Sequence, residues 1–132
     1  MNYCDIYNKS ITSSEEFWKE QANQLEFWYN LPSNILSTDK NGYPLWFADG
    51  NLNACYLAVD KHIQDGYGEQ VAIIFDSPVT QTVKKYTFNE VKTEVAKLAG
   101  GLLSLGLEKG DTAVIYMPMI PQAAFAMLAC AR

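Results

Sequence analysis

The chain has 132 residues, 48% of them hydrophobic and 19% charged, which suits about one folded domain and excludes a disordered chain. Its formal net charge is −5, with 15 acidic residues against 10 Lys and Arg. That balance excludes nucleic acid and anionic membrane as main partners, since both require a basic surface.

Taken in order, Met1 to Tyr7 carries no strong pattern. Thr12-Ser13-Ser14-Glu15-Glu16 offers two overlapping capping boxes, with acids in the first turn where the helix end is positive. Phe17, Trp18, Gln21, Ala22, Leu25, Trp28 and Tyr29 follow helical spacing, and this aromatic stripe reads as an anchor to a body lying downstream. Leu31-Pro32-Ser33 ends that helix. The polar stretch from Asn30 to Pro44 reads as an extended surface connection, with Asp39-Lys40-Asn41-Gly42 as its clearest turn. Leu52 to Ile63 predicts a second helix, with Leu52, Cys55, Tyr56, Val59 and Ile63 on one face and Asn51 or Asn53 as its cap.

Val71 to Asp76 is a continuous apolar strand signal. Val83 to Phe88 returns as its antiparallel partner in a hairpin. Thr87-Phe88-Asn89-Glu90 is a capping box, and Val91, Val95, Leu98, Leu102 and Leu105 form the stripe of the helix it opens. Gly106 suits a left-handed stop. Thr112 to Met117 predicts a buried strand, and Pro121 opens a last helix. From Ala123 to Ala131 that helix is apolar all the way round, so it must be covered on several sides. The chain therefore reads as the front of a longer protein, expected in isolation to be marginally stable or to self-associate. Thr112 to Ala131 has no charge and the length of a membrane span, but Pro118 and Pro121 divide it into halves too short to cross.

Chemistry is sparse. Asp60 and His62, the only histidine, invite a general acid–base reading. No Ser or Cys nucleophile is placed beside them by any motif, so a structural histidine at a helix end is the preferred reading. Cys4, Cys55 and Cys130 are widely spaced and form no Cys-x-x-Cys pair. They read as reduced cytoplasmic thiols, not a disulfide framework or a zinc site. Gly66-Tyr67-Gly68 is a loop before a strand, and Gly100-Gly101 reads as a close-packing point inside a helix. No Walker pattern, His-Glu-x-x-His or nucleophile elbow is present, and no basic n-region with an apolar core marks a secretory signal.

Three stretches carry a family resemblance. Tyr7-Asn8-Lys9-Ser10-Ile11 with Glu16-Phe17-Trp18-Lys19-Glu20-Gln21-Ala22 is the first. Trp46-Phe47 with Gly50-Asn51-Leu52-Asn53 and Asp60-Lys61-His62 is the second. The third is Leu105-Gly106-Leu107-Glu108-Lys109-Gly110-Asp111, continued by Ile115-Tyr116-Met117-Pro118-Met119-Ile120 and Met127-Leu128-Ala129-Cys130-Ala131-Arg132. In this order they resemble the AMP-forming short-chain acyl-CoA synthetases of the acetyl- and propionyl-CoA type, with the first stretch similar to the propionyl branch. Leu57 stands where the family usually has Asn, and Lys61 where it has Arg.

The resemblance implies an α/β chain. N-terminal helices and an extended segment occupy 1–65. A hairpin and a βα unit in 66–132 begin the AMP-binding domain. It implies a whole enzyme that uses Mg-ATP to turn a small carboxylate into an acyl-adenylate, which CoA then captures. The family's catalytic, nucleotide-binding and CoA-binding groups lie in later motifs, so no catalytic, cofactor-binding or metal residue is assigned here. Expected partners are the remainder of the synthetase chain and, through it, carboxylate, ATP and CoA. The stretch alone is expected to be inactive. A different class of function, a non-catalytic interaction module, would use the aromatic helix of Phe17 to Tyr29 or the apolar last helix.

Overall fold

A computed structural model describes residues 2–132, which form two compact units, Met1–Leu52 and Asn53–Arg132. The first unit opens with α1 (Tyr3–Thr12), in a segment without a strong sequence pattern. Its cap explains it: Asn2 Oδ1 accepts from the Asp5 N–H, and Asp5 Oδ2 accepts from the Asn2 N–H. α2 (Ser14–Gln24) follows after a break at Ser13. The capping boxes expected at Thr12 and Ser13 do not form. The Thr12 hydroxyl turns back to the Asn8 carbonyl, and Ser13 makes no side-chain cap. Both positions still serve the end of α1, since the Ser13 N–H bonds the Lys9 carbonyl. Lys9 Nζ meets Glu20 at 2.6 Å and ties the two helices together.

The aromatic helix is shorter than expected. α2 stops at Gln24 and Leu25 is already extended, so Trp28 and Tyr29 lie in β1 (Trp28–Asn30), paired antiparallel with β4 (Asn51–Leu52). Leu52 is thus strand, not helix. Trp28 Nε1 donates to the Ala22 carbonyl at 2.9 Å, satisfying one acceptor at the end of α2. The rings still cluster: Trp18 meets Trp46, Trp46 meets Phe47, and Phe47 meets Trp28, with centroids about 6 Å apart. Gly50 is needed beneath them, because a Cβ there would come within 2.8 Å of the Trp28 ring. The expected turn closes a hairpin between β2 (Leu36–Thr38) and β3 (Pro44–Trp46). Asp39 Oδ1 accepts from the Asn41 and Tyr43 N–H groups at 2.8 Å each, and Gly42 takes φ +84°.

In the second unit, Asn53 Oδ1 caps the next helix through the Tyr56 N–H. That helix runs past Ile63, with π-helical stretches at Tyr56–Asp60 and Ile63–Tyr67. β5 (Val71–Ser77) and β6 (Thr82–Thr87) form the expected hairpin. α3 (Phe88–Ser104) starts on the predicted box: Thr87 Oγ1 accepts from the Glu90 N–H, and Glu90 Oε2 accepts from the Thr87 N–H. It stops before Gly106, at φ +90°. α4 (Pro121–Ala131) has proline in its first turn, as read from sequence.

The expected strand at Thr112 to Met117 is absent. The residues form no ladder, and Val114 and Tyr116 are 88% and 100% exposed. A strand exists only through a neighbour's hydrogen bonds. Among the described residues β5 and β6 pair with each other, and no strand lies beside this segment. The core of the unit is Cys55, Val59, Tyr86, Val91, Val95, Phe125 and Ala129, drawn from the π-helical stretch, β6, α3 and α4.

Candidate functional site

Among the described residues, the one charged side chain sunk in this core is Asp60, 6% exposed. It sits on the apolar face that carries Cys55 and Val59, one turn after Cys55. A carboxylate so placed requires countercharge, because an unpaired buried charge is strongly unfavourable. Two cations supply it. Arg132, directly after α4, presents Nη1 to Oδ2 at 2.8 Å and Nη2 to Oδ1 at 3.1 Å. Lys92 of α3 reaches Oδ1 at 3.0 Å. Arg132 Nη1 also lies 3.6 Å from Cys55 Sγ, and Asn53 Nδ2 donates to the Arg132 carbonyl at 3.0 Å. Burial works against the charge on Asp60, but the bonds from Arg132 and Lys92 and their positive charges win, holding its pKa below the ordinary value. The hydrogen bond to Asp60 in turn raises the pKa of Arg132.

This cluster ties the π-helical stretch, α3 and α4 through one carboxylate. It is a poor acid–base centre, since both oxygens are committed to cations. His62 does not join it. It is exposed and lies against Phe88, ring centroids 4.8 Å apart. Residues two apart on a helix do not face each other, so Asp60 and His62 form no dyad. Cys4 and Cys130 are exposed and Cys55 is buried, all three free.

A groove of about 380 Å³ is lined by Lys84, Tyr86, Asn89, Glu90, Thr93 and Glu94, with Gln122 and Phe125 from α4. Its charges are already engaged. Glu90 holds the cap, Glu94 meets Lys97, and Lys84 sits 4.6 Å over the Tyr86 ring. Two carboxylates on its wall oppose a phosphate. Gly66 carries φ +89° at the end of the π-helical stretch, and Gly68 packs against Asn89. Gly100 and Gly101 are not the close-packing point expected, because a Cβ on either would meet nothing within 4 Å. Among the described residues no three His, Cys, Asp or Glu side chains converge as metal ligands, and no helix is long and apolar enough to cross a membrane. Lys92 and Arg132 are both spent on Asp60.

The Asp60–Lys92–Arg132 cluster was not legible as a unit, because 72 residues separate its ends. The available signal was an acid on an apolar helical face, together with an arginine following an otherwise uncharged helix.

Comparison with known proteins assigns the architecture. The model of AMP-binding enzymes matches residues 61–132. The chain belongs to the AMP-binding enzyme family. The model of the acetyl-coenzyme A synthetase N-terminus matches residues 3–58, ahead of it. Mitochondrial acyl-CoA synthetase short-chain family member 3 of Homo sapiens is 51% identical over 130 residues, covering 98% of this chain and 19% of that protein. Acetyl-coenzyme A synthetase of Streptomyces coelicolor is 42% identical over 129 residues, covering 98% of this chain and 20% of the relative. Among solved structures, acetoacetyl-CoA synthetase from Streptomyces lividans superposes with a TM-score of 0.80 at 26% identity. It covers 99% of this chain and 20% of that one. The chain thus spans about a fifth of the length of the relatives it matches.

Proposed function

We propose that this chain is scaffold of an AMP-forming acyl-CoA synthetase, whose whole protein joins a small carboxylate to CoA with conversion of ATP to AMP and pyrophosphate. The observation that carries the reading is the pair of family matches, acetyl-coenzyme A synthetase N-terminus then AMP-binding enzyme, in that order along one chain. The cluster at Asp60 supports a scaffold role, since its charges are consumed in holding helices together. ATP, its magnesium ion and CoA would be held by residues outside this stretch. Propionate is the proposed acid, on the likeness of Tyr7 to Ile11 and Glu16 to Ala22 to the propionyl branch. The proposed compartment is the cytoplasm, on its free and widely spaced cysteines; the name of the human relative makes the mitochondrion the competing location, and fractionation of cells expressing the natural gene decides between them. Self-association of the isolated chain is proposed on the exposure of Val114, Tyr116 and Met119.

The test is carboxylate-dependent ATP–pyrophosphate exchange by the 132-residue chain and by the product of its uninterrupted gene, with acetate and propionate. Exchange by the gene product alone, faster with propionate, is the expected result. Exchange by the short chain would overturn the scaffold reading, and exchange by neither would overturn the synthetase reading.

A further inference from the structure

We propose that the Asp60–Arg132 clasp selects which side of α4 faces the core. Burial of Phe125 favours the observed side, but apolar burial leaves the alternative open, because Ala123 to Ala131 is apolar on every side. In the structure Pro121, Phe125, Ala126 and Ala129 face inward. Ala123, Met127 and Cys130 recur at four- and three-residue steps and line the opposite side; Met127 is 61% exposed. That side is also uncharged, so a helix turned half round would still bury apolar surface.

The groups following it would not tolerate the turn. Arg132 lies on the inward side, with its guanidinium on both oxygens of Asp60 and its carbonyl held by Asn53. Half a rotation removes both arms from Asp60 and leaves a nearly buried carboxylate with Lys92 alone. A two-pronged guanidinium–carboxylate match has one geometry, whereas apolar contact is tolerant of rotation. Buried polar pairs fix register in this way in other helical assemblies. The clasp therefore acts as a register pin for α4, and Asn53 and Asp60 are its fixed half.

The native thiols provide the readout. With Cys4→Ser as background, the chain keeps one exposed thiol on α4, Cys130, and one buried thiol under the Arg132 guanidinium, Cys55. Maleimide should label Cys130 fast and leave Cys55 protected. In Asp60→Leu/Arg132→Met, an apolar pair of similar volume, helix content and cooperative unfolding should persist. The fast Cys130 phase should shrink in favour of a slow one, as a turned population buries it. Arg132→Lys keeps the charge but not the fork, and should uncover Cys55 with a smaller slow Cys130 phase. Unchanged Cys130 and Cys55 rates in both variants would overturn the proposal, and so would failure of the double variant to fold, which would make the clasp a source of stability and not of register.

Discussion

Replacing Phe125 by Ala tests the packing of the second unit most directly. Phe125 is 3% exposed, and its ring stands edge-on to Tyr86 with centroids 5.2 Å apart at 81°. Truncating a buried Phe costs about 3–5 kcal/mol in lost transfer energy and residual cavity. Of this, the edge contact accounts for about 0.5–1.5 kcal/mol. The total is a large share of the ~5–15 kcal/mol that holds an ordinary domain. Urea unfolding followed by far-ultraviolet circular dichroism measures it. The midpoint should fall steeply with the slope unchanged. Phe125→Leu, which restores most of the apolar area but not the ring contact, should lose less than about 1.5 kcal/mol. A Phe125→Ala loss under about 1 kcal/mol at constant slope would refute the reasoning, because α4 would not then be seated on Tyr86 and the α3 valines.

Two further outcomes follow from charge and capping. Because the pKa of Asp60 is lowered in the fold from its ordinary 3.8, its contribution is fully present above 3.8 and is lost as pH falls through the lower folded value. Urea midpoints of the native chain should therefore drop as the pH is taken below that ordinary value. Asp60→Asn should be less stable at neutral pH by about 1.5–3 kcal/mol, the range for hydrogen bonds to charged groups, and its acid-induced drop should be smaller. Parallel acid profiles for the two chains would show that Asp60 is not the group being titrated. Thr87→Ala removes the acceptor 3.2 Å from the Glu90 N–H and should cost about 0.5–2 kcal/mol, read by urea unfolding; Thr87→Ser should recover most of it.

What could be read in advance was what neighbours along the chain decide. The Thr87–Glu90 box, the stop at Gly106 and the turn at Asp39 rest on contacts a few residues apart, and the hairpin of Val71 and Val83 pairs two strands joined by one short turn. The misreadings came from distant partners. Trp28 keeps helical spacing with Leu25 and Tyr29, yet it pairs with Leu52 and bonds the Ala22 carbonyl, and that pairing overrides local periodicity. Thr112 to Met117 has a strand's composition but no strand beside it. The Asp60 cluster joins residues from three helical segments, so no local pattern could disclose it. The proximity of Asp60 to His62 in sequence carries no meaning, and its place on an apolar face does.

The aromatic cluster of the first unit has a practical consequence. All three tryptophans, Trp18, Trp28 and Trp46, lie within Met1–Leu52, while the Asn53–Arg132 unit carries none. Intrinsic indole emission is thus a private signal of the N-terminal unit. A melting curve recorded by that emission reports directly on the first unit, and a ligand, mutation or protease acting on the AMP-binding portion can pass without a trace in it. A single tryptophan at Phe75 or Phe88, both partly shielded ring positions of the second unit, would give that portion a voice of its own.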